Sequence, residues 1–297
     1  MNLTKSNNMV SICIPTYNGE AFLQEALNSV LAQTYKNIEV IISDDASTDN
    51  TLEIAKSFKG FVDFPVTIIS HKPNGIGANW NNCIKNANGS FIKFLFQDDI
   101  LYPDCISEMI ATFEENSELG LVSCKRDLII EGEVNSNVME WIDKFKNLQN
   151  QFETIDNVTI IDKNFFSEEY FLIGNNNKIG EPTVVMFRKE IVKDVGYFDE
   201  KLKQNLDYVF YYRLLKKHQI AIIKKPLAAF RIHENQATNI NRKKNITDYK
   251  EYKKILYKEF LPLLHPSQKK KLVNTYSIKA KIKHQLLFII KRICRKY

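Results

Sequence analysis

The chain has 297 residues, 44% of them hydrophobic and 26% charged, which is the profile of a folded globular protein and excludes a disordered one. The net charge of +6 is unevenly spread: residues 241–297 carry 17 basic and three acidic side chains, a net of +14, while residues 1–240 carry 24 and 32, a net of −8. No apolar run approaches the roughly 20 residues that cross a bilayer, and the polar stretch 1–9 lacks the apolar centre of a secretory signal, so a cytoplasmic protein is expected. The five cysteines (Cys13, Cys83, Cys105, Cys124, Cys294) are widely spaced and include no CxxC pair, which indicates neither a disulfide framework nor a zinc site.

Residues 10–14 form an apolar run that stops at Pro15 and read as a buried strand. Phe22, Leu23, Ala26, Leu27, Val30 and Leu31 recur at helical spacing and predict an amphipathic helix over 20–33. A second strand over 38–42 runs into the acidic turn Ser43, Asp44, Asp45. Thr48 or Asp49 can cap the helix that follows, to about residue 58. A third strand over 66–70, a Gly- and Asn-rich loop over 73–77, a helix through 87 and a fourth strand over 91–96 come next. The fourth strand ends at Gln97, Asp98 and Asp99. Another helix and a fifth strand over 120–124 complete the pattern.

This alternation predicts an α/β fold with a Rossmann-like, mostly parallel sheet and helices on both faces. Ligands of such sheets bind beyond the carboxyl ends of the strands. Three polar clusters sit at such ends: residues 15–18, 43–45 and 98–99. Residues 126–180 show weak periodicity and read as loops and short helices, suited to a lid or an acceptor-facing insertion. A strand over 183–187, a helix over 206–217 and strands over 220–223 and 227–231 follow, and from about 240 the chain is helical and Lys-rich. One domain over 1–240 with a basic helical extension over 241–297 is expected.

Two adjacent carboxylates after an apolar strand, Asp98 and Asp99, are costly unless solvated or holding a cation. Hard oxygen ligands of this kind suit Mg²⁺ or Mn²⁺ shared with a diphosphate. Asp44 and Asp45 add a second acidic pair at the same sheet edge. No GxGxxG or GxxxxGK[ST] loop occurs, which argues against a dinucleotide oxidoreductase, a P-loop kinase or a nucleotidyltransferase.

Four segments together resemble a family 2 glycosyltransferase: Val-Ser-Ile-Cys-Ile-Pro-Thr-Tyr-Asn-Gly at 10–19, Ser-Val-Leu-Ala-Gln-Thr-Tyr at 29–35, Ile-Ile-Ser-Asp-Asp-Ala-Ser-Thr-Asp at 41–49, and Asn-Gly-Ser-Phe-Ile-Lys-Phe-Leu-Phe-Gln-Asp-Asp at 88–99. The resemblance is tight over about 9–115 and looser to about 236. It implies a GT-A fold, a nucleotide-diphosphate sugar donor (UDP-linked), a divalent metal, Mg²⁺ or Mn²⁺, and inversion at the anomeric carbon. It also implies that Pro15 and Tyr17 flank the nucleobase, that Asp45 hydrogen-bonds it, and that Asn18 and Asn81 belong to the donor-binding set. Asp98 would be the metal and diphosphate ligand, with Asp99 beside it.

Two positions depart from the family pattern. Phe96 stands where an Asp usually lies two residues before the metal ligand, so one ribose or metal contact is missing or taken over by Gln97 or Asp99. Trp80 stands where an Arg often precedes the Asn of the loop–helix segment. Farther on, Asp207 falls in the first turn of a helix whose buried face is Leu206, Val209, Phe210 and Leu214, and the resemblance makes it the catalytic base. Glu181 would touch the acceptor, His233 would reach the metal or diphosphate, and Arg231 would pair with phosphate or with Asp207.

The implied activity is hexosyl transfer to a surface polysaccharide or lipid-linked glycan. The alternative is a non-catalytic nucleotide-sugar or glycan-binding protein of the same fold. In the tail, Ile282, Leu286, Ile289, Ile290 and Ile293 form one helical stripe within the basic segment 279–296. That pattern suits either an anionic membrane surface or packing against the domain. No nucleic-acid partner is expected, because no recognition module accompanies the charge.

Overall fold

A computed structural model describes residues 8–134, 136–152, 157–174, 177–234, 236, 248–279, 282 and 286. In chain order its first elements are β1 (Val10–Thr16), α1 (Leu23–Leu31), β2 (Ile38–Asp44), α2 (Thr51–Phe61), β3 (Val66–Ser70), α3 (Ile76–Asn86), β4 (Phe91–Phe94), β5 (Ile100–Leu101) and α4 (Cys105–Glu115). They are followed by β6 (Leu119–Ile130), α5 (Ser136–Phe145), β7 (Val158–Ile161), β8 (Val185–Arg188), α6 (Val192–Val195), α7 (Leu206–Leu215), β9 (Gln219–Ile232), α8 (Asp248–Ile255) and α9 (Pro266–Tyr276).

β1 and β2 are buried at every position, as continuous apolar runs require when both faces of a strand are covered. The nine strands form one sheet in the order β3-β2-β1-β4-β8-β6-β9-β5, with β7 also on β9. The strands β3, β2, β1 and β4 are parallel, and β6 pairs parallel with β9. Between these two groups β8 runs antiparallel, pairing Phe91 with Arg188 on one side and Leu121 with Phe187 on the other. The fifth strand of the alternating pattern is therefore not the neighbour of the fourth. The pairing of β8 between them is a long-range contact that no local pattern in either flanking strand encodes.

Residues 220–223 and 227–231 belong to a single strand, β9. Its register against β6 shifts at Lys125 and Arg126, beside Pro226, which has no N–H to offer the ladder. On its other side β9 holds β7 through 220–223 and β5 through 228–229. The segment 126–180 is more regular than its pattern suggests, since β6 continues to Ile130 and both α5 and β7 form within it.

The helices after 248 do not stand off as a separate extension. Tyr252, Leu256, Phe260, Leu264 and Leu272 belong to the same buried core as the sheet. A four-residue spacing of apolar side chains among lysines gives this segment one face to bury. Arg213 of α7 clamps Glu259 with two hydrogen bonds of 2.9 and 2.8 Å, and Asp248 accepts from the Lys203 and Gln204 N–H groups at 2.5 and 2.7 Å. The expected boundary at 240 thus divides elements that share a core, at least through Tyr276. Beyond it Ile278, Ile282 and Leu286 are exposed, and the rest of the apolar stripe, Ile289, Ile290 and Ile293, lies outside the described residues. Among the described residues no helix is long and apolar enough to cross a membrane. Cys13, Cys83, Cys105 and Cys124 are buried free thiols, and Cys294 lies outside the described residues.

Candidate active site

At the carboxyl ends of β1, β2 and β4 the connecting loops fasten to one another. Asp44 is fully buried and accepts from the Thr16 hydroxyl (2.9 Å), the Ser47 N–H (2.8 Å) and the Ser47 hydroxyl (2.6 Å). Asn18 adopts a left-handed φ of 46°. It donates its N–H to Ser47 and accepts from the Thr48 N–H, both at 2.9 Å. Gln97 accepts from the Tyr17 N–H (2.8 Å) and donates to the Tyr17 carbonyl (3.1 Å), lying so close over Gly19 that a Cβ there would collide with its amide.

Two groups stay available after this mutual satisfaction. The Tyr17 ring is 56% exposed just beyond buried Pro15. Asp45 Oδ1 is buried and meets no hydrogen-bond partner among the described residues, with His71 Nδ1 3.6 Å away. Burial raises the Asp45 carboxyl above its ordinary range, His71 opposes the shift, and Asp44 adds to it. An exposed aromatic face beside an acceptor oxygen is suited to a nucleobase, which stacks on the ring and donates an N–H to the carboxylate. Sequence reading missed His71. Its ring also faces Asn79 Oδ1 at 3.2 Å, and only its position just after β3 marked it.

Asn81 is not at this face. It is buried on α3, donates to the Phe198 carbonyl and to Glu200, and accepts from the Phe198 N–H, all at 3.0 Å. Helical periodicity puts position 81 on the buried side, where it ties down the 198–200 turn rather than a donor. Trp80 packs on Phe94, Phe96 and Phe198, with ring centroids 5.9, 5.1 and 5.1 Å apart.

The two acids after β4 part company. Asp98 is partly exposed and lines a cleft, and its Oδ2 lies 3.0 Å from His233 Nε2. Asp99 is buried, with one oxygen taken by the Thr183 hydroxyl (2.5 Å) and the other by the Arg231 N–H (3.0 Å). Burial and the adjacent Asp98 push its carboxyl well up. As it stands, Asp99 is part of the scaffold rather than a ligand beside Asp98. Gln97 is likewise committed to Tyr17, so neither residue takes over the contact that Phe96 lacks. Arg231 is also occupied. Its guanidinium donates to the Asp98 carbonyl (2.9 Å), Glu25 (2.5 Å) and Glu131 and lies over the Phe22 ring, so it anchors this loop.

Among the described residues no cluster of three or more His, Cys, Asp or Glu could cage a metal. Asp98 and His233 nevertheless place a carboxylate and an imidazole side by side at the cleft. This donor pair fits Mg²⁺ or Mn²⁺ when the remaining positions are filled by diphosphate oxygens and water.

Across the same cleft, about 380 Å³ in volume, lies Asp207 in the first turn of α7. It is 8% exposed. Asn177 donates to its Oδ2 at 2.8 Å, and Oδ1 meets no partner among the described residues. Burial pushes its pKa up to about 7, against hydrogen bonding from the Tyr208 N–H and helped by the charge of Glu181. A carboxylate poised near neutrality with one unpartnered oxygen can take a proton from a hydroxyl brought against it. Glu181 is held by Arg126 through two hydrogen bonds of 2.8 Å, so it shapes the cleft as half of an ion pair. Opposite, Trp141 of α5 stacks on Phe230, with centroids 6.0 Å apart and planes 9° from parallel. These aromatic residues also line the cleft, and the weak periodicity of 126–180 hid Trp141 from the sequence reading.

Residues 11–196 match the glycosyl transferase family 2. An uncharacterised glycosyltransferase of Rickettsia typhi is 30% identical over 234 residues, 78% of this chain and 66% of that protein. Glycosyltransferase GlyA of Streptococcus pneumoniae is 25% identical over 239 residues, 78% of this chain and 32% of that protein. The chain spans at most about two thirds of the length of these relatives. Among solved structures, S. aureus TarS 1–349 in complex with UDP superposes with a TM-score of 0.63 at 20% identity, covering 91% of this chain and 72% of that one. A mannosyltransferase of Pyrobaculum calidifontis, in complex with GDP-Man and Mn²⁺, gives a TM-score of 0.53 at 14% identity over 97% of this chain and 80% of that one. With the family matched over more than half its length and the mixed sheet shared with these neighbours, the chain belongs to glycosyl transferase family 2 and has the GT-A fold.

Proposed function

We propose that the chain transfers a hexosyl group from a nucleotide-diphosphate sugar, UDP-linked, to a hydroxyl of a surface polysaccharide or lipid-linked glycan, with inversion. The observation that carries this reading is Asp207, a buried carboxylate with one oxygen held and the other unpartnered among the described residues, in the wall of the cleft that Asp98 also lines. In the reaction the acceptor oxygen forms a bond to the anomeric carbon as the bond to the diphosphate breaks. The proton leaves to Asp207, and the electron pair leaves with the nucleoside diphosphate. Tyr17 stacks on the base and Asp45 accepts its N–H. A divalent cation at Asp98 and His233 would neutralise the departing diphosphate. The UDP assignment is supported by the fold shared with TarS, whose structures hold UDP.

The test is a thermal-shift screen of UDP- and GDP-sugars with and without Mn²⁺, since a ligand that binds the folded state raises its apparent stability. It is followed by transfer assays of Asp207→Asn. Stabilisation by a UDP-sugar and loss of turnover in the variant are expected. Stabilisation with no turnover on any acceptor would instead favour a binding protein, and unchanged turnover in the variant removes Asp207 as base.

We further propose that the exposed residues Ile282 and Leu286, set in the basic segment 279–296, and Ile278 just before it rest on an anionic membrane face where a lipid-linked acceptor lies. Equal flotation of the full chain and of a chain ending at Ser277 with anionic liposomes would rule this out.

A further inference from the structure

We propose that Asn177 is a positioning residue for the base, its amide holding one oxygen of Asp207 and so fixing the orientation of the carboxylate at the cleft wall. The inference rests on the reading of Asp207 as base. Asn177 Nδ2 donates to Asp207 Oδ2 at 2.8 Å and to the Gly180 carbonyl at 2.9 Å. Its Oδ1 accepts from the Ile179 N–H at 3.2 Å and the Gly180 N–H at 2.9 Å. Turning the amide over would set an oxygen against a carboxylate and a carbonyl, and an NH₂ group against two N–H donors. The orientation is therefore fixed by its partners.

The loop that presents Asn177 is itself anchored. The Ile179 carbonyl accepts from the Ser123 hydroxyl at 2.5 Å and from Gln149 Nε2 at 2.6 Å. Gly180 sits at a φ of 128°, packed so closely on Val184 that a Cβ would collide. Asn177 thus hangs from a backbone tied to β6, and its second N–H points at the carboxylate. The hydrogen bond leaves Oδ2 engaged, while Oδ1 is buried and meets no partner among the described residues. It also favours the ionised form of Asp207, against burial and the charge of Glu181. The other titratable groups around this carboxylate are Tyr208, Tyr211 and Tyr212 on its own helix and Lys203 at the cleft wall.

The experiment is a ¹³C NMR titration of the aspartate side-chain carboxyls in the full chain, with the Asp207 signal assigned by its absence in Asp207→Asn. Asn177→Ala removes the donor, and the Asp207 midpoint should rise from about 7 by about one pH unit, the size of one hydrogen bond to a charged group. Asn177→Asp keeps an acceptor oxygen for the two loop N–H groups but sets a second carboxylate against Asp207. The midpoint should then rise further. An unchanged midpoint in Asn177→Asp, with native circular dichroism, overturns the proposal. The titration is read without turnover, so it stays separable from the base assignment, which fails if Asp207→Asn retains transfer.

Discussion

The two halves of the sheet build their share of the cleft in opposite ways. In the parallel half the loops after β1, β2 and β4 satisfy one another. Asp44, Asn18, Ser47 and Gln97 spend their hydrogen bonds on neighbouring backbone and hydroxyls, while the Tyr17 ring stays exposed and Asp45 Oδ1 accepts no hydrogen bond among the described residues. In the mixed half the functional groups are buried and charged. Asp207 stays desolvated in the first turn of α7, and Arg231 ties Glu25, Glu131 and the Asp98–Asp99 turn together from within the protein. The first arrangement presents a ready-made surface to a ligand. The second stores electrostatic free energy that a reaction can draw on. Substitutions in the two halves should therefore separate affinity from stability and turnover.

The largest effect is expected at Asp207. Replacement by Asn should lower transfer about 10³-fold, within the range ascribed to a positioned general base, and leave donor affinity unaltered. The same change should stabilise the protein at alkaline pH. The carboxyl's folded pKa of about 7 lies above its ordinary 3.8, so the folded state keeps a proton that the unfolded chain releases first. The resulting stability is complete below about pH 4 and is lost as pH rises through about 7, on the order of 4 kcal/mol at most. Urea unfolding at pH 5 and pH 8 should show the variant gaining on wild type at the higher value. No gain would mean that burial does not strain the carboxylate.

Next in size is Arg231→Met. It removes the guanidinium that holds the Asp98 carbonyl, Glu25 and Glu131, and since both glutamates are well exposed a loss of about 1–2 kcal/mol is expected. Chemical denaturation measures it, and a variant as stable as wild type would show that the network contributes little beyond its desolvation cost. The smallest effect belongs to the parallel half. Tyr17→Ala removes an exposed ring and should weaken donor binding about tenfold while leaving the melting temperature unmoved. A fall in stability instead would make Tyr17 a packing residue and blur the contrast between the halves.

The parallel half was legible in the sequence because its chemistry is local. Each strand is an apolar run, each polar cluster follows directly, and Tyr17, Asp45 and Asp98 sit where those runs end. Asp207 was legible for the same reason, as an acid in the first turn of a helix with a clear buried face. What stayed hidden depends on distant partners. Asn81 resembles a donor ligand until α3 turns it toward Phe198, and Asp99 resembles a metal ligand until Thr183 and Arg231 close over it. The entry of β8 between β4 and β6 cannot be read from either neighbour. Asn177 lies in a stretch of asparagines whose pattern shows no element at all. Its role exists only because Gly180 and Ser123 fix the backbone around it.

β9 has a consequence for biogenesis. It is the last strand of the sheet, and both β7 and β5 find their pairing on it, as does one edge of β6. The contact of Arg231 with Glu25 spans 206 residues. During synthesis the parallel half can fold as it emerges, while three strands wait with open edges until residue 232 has left the ribosome. The Asp98–His233 side of the cleft is completed just after it. An N-terminal fragment ending before β9 would hold the Tyr17–Asp45 face and expose the sheet edges most prone to aggregation.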